Sequence, residues 1–75
     1  MELNHFISCF AEQFEETDPS EITANTVYKD LDEWCSILAF AVIAMVKTEY
    51  DKTLTGAEIR HCETVEDLFN TIAAK

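Results

Sequence analysis

Seventy-five residues, 48% of them hydrophobic, make one small domain able to fold unaided but with a core worth only roughly 3–5 kcal/mol. A catalytic pocket walled on every side is hard to build on a core of that size. Fifteen acidic side chains against five basic ones give a formal charge of −10, which disfavours nucleic acid and anionic membranes as partners and favours basic patches on other proteins.

In chain order, Leu3, Ile7, Phe10 and Phe14 are spaced 4, 3 and 4, with Phe6 beside them and Glu12, Gln13, Glu15 and Glu16 on other faces. This stripe predicts an amphipathic helix over roughly residues 2–16. Thr17-Asp18-Pro19-Ser20 ends it, because proline cannot continue a helix and disfavours helix in the residue before it.

A connection of nearly twenty residues follows, from Thr17 to Cys35. Connections that long are uncommon in compact domains unless they have a task. Ile22, Val27, Tyr28, Leu31 and Trp34 stand along it as anchors expected to pin it across a bundle and to deliver Ser36 to a fixed place.

A second helix is predicted from Ser36 to about Tyr50, with Ala39, Ile43, Val46 and Tyr50 repeating the 4-3-4 spacing and Val42 widening the stripe. A short third piece is expected around Ala57–His61, after the turn-like run Asp51–Gly56. Thr64 with Asp67 resembles a capping box opening a last helix, whose buried stripe is Val65, Leu68, Phe69 and Ile72. Nothing alternates with period two for long enough to suggest a sheet. The reading is an all-α single domain over residues 1–75, a small bundle of three main helices and one short helix with a long first loop.

Cys9, Cys35 and Cys62 are an odd number with no CxxC pair, so neither a disulfide framework nor a zinc site is expected. The opening Met1-Glu2-Leu3-Asn4-His5 lacks a basic signal-peptide region, and the longest apolar run, Ile37–Val46, is ten residues and too short to span a bilayer. The expectation is a reduced, soluble, cytoplasmic monomer.

Ser36 stands where the long loop becomes the most apolar helix. Its hydroxyl is either an ordinary cap or a group displayed for modification, since helix-end amides and the positive dipole end stabilise an attached phosphate. Spacing alone leaves both open. The order of elements, together with Leu31-Asp32-Glu33-Trp34-Cys35-Ser36-Ile37, resembles the acyl carrier proteins, in the variant with tryptophan just before the attachment triplet. Tyr28-Lys29-Asp30-Leu31 is similar to the family's approach to the site, Glu49-Tyr50-Asp51 to the end of its second helix, and Ile59, Thr64–Leu68 and Ile72 to its closing helix. The resemblance covers nearly the whole chain.

The resemblance implies a 4'-phosphopantetheine arm, derived from coenzyme A, on Ser36. Such a protein catalyses nothing itself. It holds acyl intermediates as thioesters and passes them between acyl-transferring and condensing enzymes of fatty-acid or polyketide-like biosynthesis, after modification by a phosphopantetheinyl transferase. Docking to these partners would fall to Asp30, Asp32, Glu33, Trp34, Ile37, Leu38, Ala41 and Met45. Phe40, Ile43, Val46, Leu54, Ile59 and Phe69 would line a shelter for the acyl chain.

Two departures stand out. Cys35-Ser36-Ile37 replaces the family's Asp-Ser-Leu, removing a carboxylate beside the serine. Residues 36–46 carry no charge and Lys47 stands where an acid is usual, so either Leu38, Ala41, Ala44 and Met45 give the outer face an apolar character or Leu38 and Met45 cover the core and docking is ordinary. The alternative is an unmodified helical interaction module that kept the bundle and lost the attachment chemistry. Two further patterns are weaker. Asp51-x-Thr53-x-Thr55-Gly56 echoes a calcium loop but has Cys62 where a bidentate glutamate belongs. Ser36 or Cys35 with His61 would form a nucleophile pair lacking an acid to orient the histidine. His5 is expected to be an exposed residue of the first helix.

Overall fold

Helix starts follow from local hydrogen bonding. The computed structural model describes residues 2–75 and contains α1 (Leu3–Ala11), α2 (Ser36–Tyr50), α3 (Gly56–His61) and α4 (Val65–Ala73), with 3₁₀ turns at Pro19–Glu21 and Tyr28–Asp30. At α4 the capping box forms as expected: Asp67 N–H donates to Thr64 Oγ1 at 3.1 Å, and Thr64 N–H donates to Asp67 Oδ2 at 3.1 Å. The same device opens α3, where Glu58 N–H donates to Thr55 Oγ1 at 3.2 Å and Thr55 N–H donates to Glu58 Oε1 at 3.0 Å. At its far end α2 closes on Asp51 in the left-handed region (φ 54°), with Asp51 N–H on the Lys47 carbonyl at 3.0 Å.

α1 stops at Ala11, five residues short of the predicted Glu16. Two causes are visible. Glu12, Glu15 and Glu16 crowd the negative end of the helix dipole. The Glu33 carboxylate then collects the amides of Glu15, Glu16 and Thr17 at 2.8, 3.0 and 2.8 Å and the Thr17 hydroxyl at 2.9 Å, bonds that a continuing helix would need for itself. The buried face of α1 is Phe6, Cys9, Phe10 and Ala11, while Leu3 and Ile7 are only half-buried.

α1 packs on α4 and α2, and α3 packs on α2 and α4. Between them lie Phe6, Phe10, Tyr28, Val42, Val46, Leu54, Val65, Leu68 and Ile72, each fully enclosed. The long connection is pinned as expected through Ile22, Tyr28, Leu31 and Trp34. Val27 differs, its side chain exposed and its backbone forming a bridge with Thr64. Next to that bridge, Val65 N–H donates to the Thr26 carbonyl at 3.1 Å and Glu66 N–H to the Ala24 carbonyl at 3.0 Å, so the connection supplies partners to the first amides of α4. Among the described residues there is no strand, and no helix is long and apolar enough to cross a membrane.

Candidate functional site at the start of α2

Trp34 fixes where α2 begins. Its indole stacks on Phe10 and Phe14, with ring centroids 6.3 Å away in each case, and meets Tyr28 edge-on at 4.9 Å. Each such pair contributes about 0.5–1.5 kcal/mol beyond the area it buries. Trp34 is thus a half-buried anchor. Two residues later the chain turns into the helix with Cys35, extended at φ −159°, in the capping position and Ser36 as the first helical residue.

Ser36 is therefore not the cap. Cys35 makes no side-chain capping bond, the first turn of α2 holds no acidic residue, and among the described residues no side chain accepts from the amides there. α3 and α4 both carry a capping box; the helix led by Ser36 has none. Ser36 is exposed, as is Cys35. A hydroxyl next to uncompensated amides at the positive end of a 15-residue helix is well placed to carry a negatively charged substituent.

Beside Ser36 an open cleft of about 430 Å³ runs between α2 and α3. Its apolar wall is Trp34, Ala39, Phe40, Ile43 and Ile59, and its rim carries Lys29 and Arg60. The Lys29 ammonium donates to the Arg60 main-chain carbonyl at 2.9 Å, which holds the Lys29 side chain against α3, and Arg60 lines the same mouth. Among the residues lining the cleft the charged side chains are these two cations.

Of the six residues expected to shelter an apolar chain, Phe40, Ile43 and Ile59 line this cleft. Val46 and Leu54 are sealed in the core and Phe69 packs on Phe6 at 5.8 Å, so these three lie elsewhere. The expected docking residues divide as well. Asp30, Asp32 and Ile37 are exposed, and Glu33 is engaged with the chain after α1. Leu38 and Met45 are each only 7% exposed, so of the two readings left open for them they cover core; α2 is apolar on every side, and spacing cannot say which side turns inward. Ala41 and Met45 border a groove toward α1 instead. The exposed apolar pair next to Ser36 is Ile37 and Phe40, 78% and 70% exposed and one turn apart. Phe40 was the less legible of the two, since its spacing fits a buried stripe as well as a free face.

His61 lines clefts shared with α4 and not the one containing Cys35 and Ser36, so the structure does not assemble the nucleophile pair. Thr55, a member of the calcium-like pattern, spends its hydroxyl on the α3 capping box. Compared with family models, curated proteins and solved structures, the chain matches none.

Proposed function

We propose that this chain is an acyl carrier protein, with Ser36 as the attachment point of a 4'-phosphopantetheine arm. The observation that carries the reading is the exposed, unengaged Ser36 as first residue of an uncapped α2, directly beside an apolar cleft. The residues present suit such a group. The free amides of the first turn, with Lys29 and Arg60 at the rim, offset a phosphodiester's charge, and Ala39, Phe40, Ile43 and Ile59 offer an acyl chain apolar cover. The arm supplies a thiol on which acyl groups are held as thioesters.

The protein's own share is presentation. Trp34 holds the start of α2, Ser36 projects from it, and tethering raises the effective concentration of an intermediate at each partner's active site. Partners are a phosphopantetheinyl transferase and the acyl-transferring and condensing enzymes of fatty-acid or polyketide-like synthesis. Ile37 and Phe40 supply their apolar contact, with Asp30 and Asp32 as acidic flank. Cytoplasmic residence goes with this reading.

Incubation with coenzyme A and a broad-specificity transferase, followed by intact-mass measurement, tests it. One phosphopantetheine adduct is expected on the wild-type chain and none on Ser36→Ala. Failure with several transferases, including one from the same organism, would leave the unmodified interaction module as the reading, with Cys35 in place of the family's aspartate as the reason.

A further inference from the structure

A second constellation lies toward the other end of α2, roughly 20 Å along the helix from Ser36 at 1.5 Å per residue, and is independent of the carrier reading. His5 and Cys9 sit four residues apart on α1 and so share a face, and Glu49 in the last turn of α2 meets them. Cys9 Sγ is 3.5 Å from His5 Nε2 and 3.5 Å from Glu49 Oε1, and the imidazole and carboxylate are 3.8 Å apart. One nitrogen, one sulfur and one oxygen thus form a nearly equilateral triangle.

We propose that His5, Cys9 and Glu49 form a binding site for a zinc-type divalent cation that joins α1 to α2. Ligand bonds of about 2.0–2.3 Å in a tetrahedron imply donor separations of roughly 3.3–3.6 Å, so this triangle needs adjustments of only a few tenths of an ångström. Thiolate with imidazole and one carboxylate selects zinc and its transition-metal neighbours over calcium or magnesium, which take oxygen. An entry path exists, since the His5 and Glu49 side chains are 57% and 42% exposed while Cys9 is 5% exposed beneath them. Binding exchanges the Cys9 S–H bond for a sulfur–metal bond and releases that proton to solvent. Three protein ligands leave a fourth position for water.

An independent observation points to the same place. Among the described residues Tyr50 Oη is buried without a hydrogen-bond partner, and the Tyr50 ring stands edge-on to His5 with centroids 6.1 Å apart. A buried hydroxyl needs a hydrogen-bond partner, and a water on the cation would supply one.

The test uses the whole chain in a Cys35→Ser background under a phosphine reductant, titrated separately with Zn²⁺ and Co²⁺. One equivalent should bind by native mass spectrometry. Cobalt should give a near-ultraviolet thiolate charge-transfer band, and zinc at ten times its Kd should raise the Tm by about 5–10 °C. Cys9→Ser should abolish the band. His5→Ala and Glu49→Gln, both at exposed positions that leave the core intact, should each weaken binding at least about tenfold. Absence of the band, its persistence in Cys9→Ser, or unchanged affinity in His5→Ala and Glu49→Gln overturns the site. None of these readouts depends on modification of Ser36.

Discussion

The Tyr28 hydroxyl donates to two carbonyls at the end of α3, those of Ile59 and Cys62, the second at 3.0 Å. Its ring is fully buried, so the group that satisfies these acceptors cannot be replaced by solvent. Tyr28→Phe should cost about 1–3 kcal/mol in denaturant unfolding, the penalty for leaving buried acceptors unpaired. Burial pushes the Tyr28 pKa up, with Cys62 and Asp67 adding to the rise. A folded-state pKa raised above the unfolded value contributes stability that is complete below about pH 10 and is lost as pH climbs beyond it. Wild-type stability should therefore fall above pH 10 and less steeply in Tyr28→Phe, with Tyr50, also raised by burial, retaining a share. Tyr28 was legible as an anchor from its place in an irregular segment. Its carbonyl partners, 31 and 34 residues away, were not, because no local pattern encodes them.

At the scale of elements, the bounds of α2 were legible while its orientation was not. Ser36 follows an irregular segment and Asp51 begins a turn-like one, but apolar residues surround the helix and several faces are equally eligible for burial. The spacing of α1 was legible and its length was not, since a carboxylate from residue 33 decides where it stops. Burial works against ionisation of Glu33, and the amides of Glu15, Glu16 and Thr17 with the Thr17 hydroxyl more than offset it, holding the carboxyl below its usual range. A lowered carboxyl pKa contributes stability above the unfolded value of about 4.3 and loses it as pH falls through the folded one. Glu33→Gln should accordingly lower the Tm at pH 7, and the gap to wild type should close below about pH 4; an equal gap at both pH values would remove the ionised clamp. The capping box of α4 is legible in Thr64 and Asp67, whereas the same motif at α3 is split in the sequence reading between Thr55, in the turn-like run, and Glu58, in the short helix.

For the whole molecule, the margin is thin. Leu68 is fully enclosed at the centre of the bundle, and truncating a buried leucine to alanine costs about 2–5 kcal/mol. A domain of this size holds only roughly 3–5 kcal/mol. Leu68→Ala should be largely unfolded at 25 °C by far-ultraviolet circular dichroism, and retention of full helicity with an unshifted melt would mean a larger reserve than core size allows. Net charge was legible at this scale, but its distribution was not. Folding brings Lys29 and Arg60 to one rim of a chain carrying −10, and it gathers His5, Cys9 and Glu49 from sequence positions up to 44 apart.

The carbonyls of Ala24 and Thr26 hold the leading amides of α4, while Trp34, in the same crossing segment, holds the leading turn of α2. Opening at one place is therefore expected to be felt at the other in amide exchange. If the crossing lifts, the closing helix loses its hydrogen-bond acceptors as the serine-bearing tip loses its aromatic support, so the amides at the two helix starts should exchange together.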